Sequence, residues 1–158
     1  MDEKLSEYLK ENSINFKEYL HKAVFTVAES SELKKSIPGL HCKCLFLKDE
    51  FVKFYLVAMP AEKRLDISSL RKGLNLKKLH FASEEELFDN LGLKPGSVSI
   101  FGMINASDDV TLIIDKSVWS ADAVGFHPNI NTATLVISHA NLERFYNSLN
   151  NDKGVMEL

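Results

Sequence analysis

A histidine lies among turn-forming residues immediately before a strand-like segment. His127 is followed by Pro128, Asn129 and Asn131, and residues 132–138 then alternate between apolar and polar side chains, as a half-buried strand does. An imidazole can gain or lose a proton near neutral pH, and a strand end holds it more firmly than a flexible loop. The segment is therefore a candidate site for positioning water or moving a proton. A half-buried histidine beside two asparagines that satisfy turn amides is the structural alternative.

A lysine interrupts an otherwise apolar strand. Lys43 stands within residues 42–47, where the other residues are cysteine, leucine and phenylalanine. A charged side chain between apolar neighbours must extend to solvent or bind an anion, because burying an unpaired charge is costly. Lys43 is therefore a candidate ligand for an anionic group of a substrate.

A short loop of glycine and serine residues lies between Pro95 and Gly102. Its sequence is Gly96-Ser97-Val98-Ser99. Such a loop can direct several main-chain N–H groups at one point, which stabilises an anion or an oxyanion without a metal. The alternative is an ordinary tight turn, and the pattern alone favours neither.

The two cysteines, Cys42 and Cys44, lie two positions apart on the same predicted strand. A strain-free disulfide is hard to close at this spacing, which indicates free thiols in a reducing compartment. Together with His41 they also have the wrong spacing for a closed zinc site. We expect neither a metal nor a cofactor.

Length and composition are those of one globular domain. The chain has 158 residues, of which 45% are apolar and 26% charged, so residues 1–158 can form a single domain with a hydrophobic core. No apolar run approaches the roughly 20 residues that span a bilayer, and the charged first residues do not resemble a secretion signal. We therefore expect a cytoplasmic protein that binds no membrane. The residues do not indicate its oligomeric state.

Positive charge is concentrated in the middle of the chain, although the net charge is -3. Residues 33–80 contain eleven Lys or Arg against four Asp or Glu, whereas residues 81–158 contain four against eleven. The middle segment is a candidate phosphate-facing surface, and a solvated helix face is the alternative. Its candidate contacts are Lys63, Arg64, Arg71 and Lys72, with Lys77 and Lys78 close by in the sequence.

Helix and strand signals alternate along the whole chain. Helices are predicted over residues 5–11, 27–36 and 141–149, and two more begin at the caps Asp66 and Ser83 and end near residues 74 and 91. Strands are predicted over residues 15–20, 42–47, 51–59, 76–82, 110–115, 123–126 and 132–138. We expect an α/β fold with a mixed, strongly curved sheet flanked by helices. Residues 42–59 form a hairpin in this prediction, Thr26 caps the second helix, and residues 150–158 are a flexible tail.

Three blocks of the sequence together resemble the YbaK/ProX family of aminoacyl-tRNA deacylases, the free-standing relatives of the prolyl-tRNA synthetase editing domain. Residues 39–49 are similar to the family's Gly-x-x-x-Lys-Asn-Leu-Phe-Leu-x-Asp strand, residues 94–102 to its Pro-Gly-Ser-Val-Ser-Pro-Phe-Gly loop, and residues 125–138 to its histidine segment. Weaker similarities at residues 24–27 and 63–66 keep the same order. The resemblance therefore extends from about Val24 to Phe145.

The resemblance implies a barrel-like editing-domain fold and hydrolysis of the ester bond of mischarged aminoacyl-tRNA. In family terms, Lys43, Gly96 and His127 are the catalytic residues. Lys43 contacts the ester or the terminal nucleotide, Gly96 opens the loop that positions the ester, and His127 shapes the pocket or holds water. The implied partners are a tRNA acceptor end that carries a small amino acid, and prolyl-tRNA synthetase. The histidine segment is most similar to the branch that removes alanine from the tRNA for proline. The implied substrate-binding residues are Cys44, Ser97, Val98, Ser99, Ile100, Phe101, Gly102, Asn129 and Asn131.

Two positions depart from the family pattern. Ile100 stands where the loop usually has proline, which restores a main-chain N–H, and Cys44 stands where asparagine is usual, which removes a strong hydrogen-bonding group. Either change can alter the accepted amino acid or weaken catalysis. Two alternatives therefore stay open: a non-catalytic member that binds a tRNA end or a synthetase, and a hydrolase with Cys44 as nucleophile and His127 as its base.

Overall fold

The computed structural model describes residues 1–24 and 27–158. The predicted helix cap at Thr26 and part of the weak similarity at residues 24–27 therefore lie outside the described residues. The described chain contains six α-helices, one 3₁₀ helix and eight strands. The helices are α1 Glu3–Glu11, α2 Val27–Ser36, α3 Ile67–Gly73, α4 Glu84–Leu91, α5 Lys116–Trp119 and α6 His139–Ser148, with the 3₁₀ helix at Ile100–Asn105. The strands are β1 Lys17–Leu20, β2 Leu40–Asp49, β3 Phe54–Pro60, β4 Leu79–Phe81, β5 Val110–Asp115, β6 Ala123–Phe126, β7 Ala133–Ser138 and β8 Lys153–Met156.

The strands form one mixed sheet in the order β1-β7-β6-β2-β3-β5-β8, and β4 pairs with β2 beside this path. The pairs β6/β2, β3/β5 and β5/β8 are parallel, and the other pairs are antiparallel. The prediction of an α/β fold with a mixed sheet and flanking helices is confirmed. Among the described strands, the sheet ends at β1 and β8 and does not close into a barrel.

Strand β2 joins the two halves of the sheet. Its first residues pair with β6, with Leu40 opposite Val124, while its later residues pair with β3 and β4. Because side chains alternate across a strand, Cys44 and Phe46 belong to the larger hydrophobic cluster and Leu47 to a smaller one on the other face. The path of β2 is therefore fixed by packing on both faces.

Local sequence signals located most helix ends correctly. The Asp66 side chain caps α3, and Ser83 and Glu86 form the predicted capping box at the start of α4. Gly92 ends α4 in the left-handed region at φ 67°. The hairpin is confirmed as the antiparallel pair β2/β3.

The structure corrects the prediction of a flexible tail at residues 150–158. Lys153–Met156 forms β8, which pairs in parallel with β5. Its four residues carry too little alternation to signal a strand, and the pairing depends on a partner some forty positions away. The 3₁₀ helix and α5 were also absent from the prediction, and β4 is shorter than expected. Within residues 1–24 and 27–158, no helix is long and apolar enough to cross a bilayer.

Candidate functional site

Lys43 and His127 line the same cavity, as the sequence predicts. The cavity has a volume of about 230 Å³ and lies where β2, β6 and β7 run side by side beneath α2. This volume is below the roughly 300–1,000 Å³ of pockets that bury drug-sized ligands, so the cavity accepts one small group. The residues that line it are Val24, Ser30, Leu33, Lys34, His41, Cys42, Lys43, Ala61, Gly125, Phe126, His127 and Thr134.

Gly125 leaves room on the floor of the cavity. A Cβ atom placed on Gly125 would lie 3.1 Å from Cγ2 of Thr134, closer than ordinary contact. Gly125 lies on β6 and is buried. Its missing side chain therefore keeps the space beside Thr134 open.

Lys43 brings a positive charge into this cavity, and no described residue supplies a counter-charge. Its side chain is half-buried, and among the residues that the structure describes it has neither an ion pair nor a hydrogen bond. The neighbouring Lys34 is different, because its ammonium lies 2.9 Å from the Glu62 carboxylate. A half-buried ammonium that lacks a partner is suited to bind an anion or a polarised carbonyl oxygen.

His127 presents a hydrogen-bond acceptor to the cavity. Its Nδ1 is 3.0 Å from the carbonyl oxygen of Ala133, and since a carbonyl only accepts, Nδ1 carries the hydrogen. Burial lowers the pKa of His127, the imidazoles of His21 and His41 lower it further, and the Ala133 carbonyl opposes them. The ring is therefore uncharged at neutral pH, with a lone pair on Nε2.

The structure brings two further polar residues to this site that the sequence analysis missed. Thr134 lines the cavity, and its hydroxyl is 2.9 Å from Nε2 of His21. His41 also lines the cavity and holds its Nε2 hydrogen against the carbonyl oxygen of Ile37, at 3.0 Å. An inward-facing threonine in an alternating strand was the available signal for Thr134, whereas a partner 113 positions away cannot be read from the sequence.

The glycine loop does not line the cavity of Lys43 and His127. Residues 94–97 form a tight turn in which the Ser97 N–H donates to the Lys94 carbonyl over 3.0 Å, with Pro95 second and Gly96 third at φ 88°. Gly96 and Val98 instead border a second cavity, of about 300 Å³, together with Cys44. Gly96, which the sequence analysis expected beside Lys43 and His127, therefore borders a different cavity from theirs.

The residues after the turn are part of the core. Ile100 and Phe101 are fully buried, as is Ser99, which caps the 3₁₀ helix. The Phe101 N–H donates to the Ser99 hydroxyl at 3.1 Å and the Gly102 N–H to the Ser99 carbonyl at 3.0 Å. These amides already have partners, so the predicted substrate contacts of Ile100, Phe101 and Gly102 are not accessible here.

The two asparagines of the histidine segment lie outside both cavities. Asn131 lies against the turn, since a Cβ placed on Gly96 would be 3.9 Å from its Nδ2 atom. Asn129 adopts φ 64°, and its buried side-chain amide has no hydrogen-bond partner among the described residues. Neither residue lines the cavity of His127.

Neither thiol is suited to act as a nucleophile. Burial raises the pKa of Cys42 to about 12 and that of Cys44 well above its usual range. Cys44 also borders a different cavity from His127. The structure thus gives no support to a Cys44–His127 hydrolase. Within residues 1–24 and 27–158, no group of three or more His, Cys, Asp or Glu is arranged to hold a metal ion.

The four candidate tRNA contacts differ in whether their cationic groups already bind another residue of the protein. Lys63 is bound to the buried Asp115 carboxylate at 3.0 Å, and Arg71 donates to the Leu76 carbonyl at 3.1 Å. Arg64 and Lys72 are exposed. The available positive charge therefore lies at Arg64 and Lys72.

The aminoacyl-tRNA editing domain family matches residues 21–145, most of the chain. The prolyl-tRNA editing protein ProX of Acetoanaerobium sticklandii is 33% identical over 152 residues, which covers 95% of this chain and 93% of that protein. The prolyl-tRNA synthetase associated domain-containing protein 1 of Danio rerio is 30% identical, over 89% of this chain and 78% of that protein.

The fold also matches solved structures. A crystal structure of a candidate trans-editing enzyme for prolyl-tRNA synthetase superimposes with a TM-score of 0.76 at 16% identity, covering 100% of this chain and 98% of that one. At this identity the likeness concerns the fold alone. With the family match over residues 21–145 and the 33% identity to ProX, the chain belongs to the aminoacyl-tRNA editing domain family.

Proposed function

We propose that this protein hydrolyses the ester bond of mischarged aminoacyl-tRNA in trans, with alanyl-tRNA for proline as its main substrate. The observation that carries the proposal is the Lys43 ammonium, which has no partner among the described residues, in one cavity of about 230 Å³ with the uncharged His127 ring. Membership of the editing-domain family and the similarity to ProX support the reaction class.

The two side chains suit the two needs of ester hydrolysis. The ammonium of Lys43 can hold the carbonyl oxygen or a terminal phosphate, and it stabilises the negative charge that develops on the oxygen as water adds. The Nε2 lone pair of His127 can accept a hydrogen bond from that water and keep it in place. The products are the free amino acid, which gains the water oxygen, and the tRNA with its ribose hydroxyl restored.

The size of the cavity supports a small amino acid. A synthetase site that is built for proline discriminates poorly against a smaller side chain, because a missing methylene is worth only about 1–3 kcal/mol. A second site of limited volume can then remove the smaller residue and spare the correct one. Arg64 and Lys72 are the exposed cations that we assign to the tRNA backbone.

Deacylation of alanyl-tRNA for proline tests the proposal. We expect the wild-type protein to release alanine, and Lys43→Ala to lower kcat/KM by about 10²- to 10³-fold, the usual effect of removing one oxyanion-stabilising group. Lys10→Ala, a matched change at an exposed lysine on α1, should keep wild-type activity. Ester loss no faster than in buffer, with alanyl, seryl and cysteinyl esters alike, would overturn the proposal.

A second candidate function is binding without catalysis. The observation that favours it is the buried start of the 3₁₀ helix, where the amides of Phe101 and Gly102 already have partners. Such a protein would bind charged tRNA, or prolyl-tRNA synthetase, and would not turn the ester over. Equilibrium binding of alanyl-tRNA at the concentration used in the hydrolysis assay separates the two functions.

A further inference from the structure

The hydroxyl of Thr134 has its hydrogen committed to His21. Nδ1 of His21 is 2.8 Å from the Lys22 carbonyl oxygen, which can only accept, so Nδ1 carries a hydrogen. In the tautomer with this one ring hydrogen, Nε2 accepts, and the Thr134 hydroxyl 2.9 Å away donates to it. The Thr134 oxygen can then form further hydrogen bonds only as an acceptor.

Two residues that line the cavity therefore carry a neutral acceptor without a hydrogen to donate. One is Thr134, through its oxygen, and the other is His127, through Nε2, whose hydrogen is on the opposite ring nitrogen. Lys43 is a charged donor of the cavity, and it has no partner among the described residues. A ligand that complements this arrangement has one group rich in N–H donors and another group rich in acceptors.

We propose that Thr134 is a specificity residue that accepts a hydrogen bond from the free α-ammonium group of the esterified amino acid, and that His21 positions its hydroxyl. This inference rests on the proposed deacylase function. An α-ammonium has three N–H donors and no acceptor, so it fits the neutral acceptor of Thr134, while the ester oxygens fit Lys43 and Nε2 of His127 remains for the attacking water. An N-acylated amine has one donor and additional bulk, and the cavity should reject it.

His21 is held in place by more than its ring contacts. Its main-chain N–H donates to the Thr132 carbonyl at 3.0 Å, which extends the pairing of β1 with β7 by one residue. Its ring lies 6.1 Å from the ring of His127, measured between centroids. His21 therefore supports Thr134 from outside the cavity, and we assign it no contact with the substrate.

The test compares alanyl-tRNA for proline with its N-acetylated form. The wild-type protein should prefer the free amine by about ten- to a hundredfold in kcat/KM, as expected for loss of a hydrogen bond to a charged group. Thr134→Val, which keeps the branched shape and removes the oxygen, should lose about ten- to a hundredfold on the free amine and stay within twofold on the N-acetyl ester. Thr134→Ser, which keeps the oxygen, should retain the preference.

A double-mutant cycle tests the role of His21. His21→Ala frees the Thr134 hydroxyl to rotate, so we expect a smaller loss than with Thr134→Val and in the same substrate-dependent direction. The two changes together should cost no more than Thr134→Val alone. An independent further loss in the double variant, or an equal loss on both substrates, would overturn the positioning role. Melting temperatures of all variants check that the fold is intact.

Binding measurements separate this inference from the deacylase proposal. The probes are alanyl-3′-amino-3′-deoxyadenosine, whose amide resists hydrolysis, and its N-acetyl form. Hydrolysis of both esters at equal rates supports the deacylase and overturns the inference. Preference for the free-amine probe without any ester turnover overturns the deacylase and supports recognition of the ammonium. Equal binding of the two probes by the wild-type protein overturns the inference.

Discussion

The main-chain N–H of Ile100 lies beside the thiol of Cys44 and acts to lower its pKa. These are the two positions at which the sequence departs from the family pattern, and the structure brings them together. Isoleucine can supply this N–H, whereas proline cannot. The N–H opposes the effect of burial on the Cys44 pKa, but burial is stronger and keeps the thiol protonated.

Both cysteines should therefore react slowly with alkylating reagents in the folded protein. With a pKa of about 12, Cys42 has a thiolate population at pH 8 that is roughly a thousandfold below that of an unhindered cysteine. Cys44 is the more deeply buried of the two and should react more slowly still. Mass spectrometry after timed treatment with iodoacetamide, in buffer and in urea, measures this difference. Rapid labelling of Cys44 without denaturant would contradict the assignment.

Protonation of His127 should destabilise the protein at mildly acidic pH. Its folded-state pKa is below the ordinary value of 6.5, mainly because of burial, so the unfolded chain binds this proton more readily. The contribution of His127 to stability is therefore complete above about pH 6.5 and is lost as the pH falls through the folded-state pKa. Urea unfolding between pH 7.5 and 5.0 should show a steeper loss for the wild-type protein than for His127→Gln. His80→Gln, at an exposed histidine, should follow the wild-type curve.

Lys63 should contribute to stability more than to tRNA binding. Its ammonium lies 3.0 Å from Asp115, whose side chain is 1% exposed and also accepts hydrogen bonds from the Ser117 hydroxyl and the Leu158 N–H. Burial acts to raise the Asp115 pKa, but these hydrogen bonds together hold it below its usual value. Removing one partner of a buried carboxylate is costly, and because Lys63 is itself about one third exposed we expect Lys63→Ala to lose about 1–2 kcal/mol.

Lys72→Ala is the matched control for Lys63→Ala. It changes an exposed lysine and should stay within about 0.5 kcal/mol of wild-type stability in urea unfolding at pH 7. The stabilisation from Asp115 is present above the ordinary carboxyl pKa and is lost as the pH falls through its lowered value. A wild-type unfolding curve for Lys63→Ala, together with weakened tRNA binding, would reverse the roles of the two lysines.

Removal of residues 153–158 should lower the melting temperature by roughly 5–10 °C, as expected for a loss of a few kcal/mol in a chain of this size. The deletion removes the pairing of β8 with β5, the packing of Met156 and Leu158 on the smaller hydrophobic cluster, and the hydrogen bond from Leu158 to Asp115. Gly154→Ala is the control, since a Cβ there meets nothing within 4 Å. Thermal unfolding followed by circular dichroism measures the melting temperatures of the truncated protein and of the control. An unchanged melting temperature after truncation would mean that the strand contributes no stability.

What the sequence predicted well was local in origin. The Asp66 cap, the Ser83 capping box and the β2/β3 hairpin depend on residues close together in the chain, where side-chain chemistry and turn geometry decide the outcome. Lys43 and His127, which the family resemblance assigns to one site, line the same cavity.

What the sequence could not provide depends on partners far apart in the chain. The parallel pairing of β8 with β5 and the contact of His21 with Thr134 both follow from how distant segments meet. The structure of the glycine loop could not be predicted for another reason. Its residues favour a tight turn and an amide cluster equally, and the structure shows the turn, with the following amides of Phe101 and Gly102 donating to Ser99.

The cavity has walls of unequal rigidity. Lys43, Gly125 and Thr134 lie on strands that both hydrophobic packing and main-chain pairing hold in place. The opposite wall comes from α2, where no described side chain between Ala28 and Ser36 is fully buried. Substitutions at Ser30 or Leu33 can therefore accumulate during evolution with little damage to folding. New substrate preferences in related proteins should arise from this helix, while the strands that carry the reactive groups stay constant.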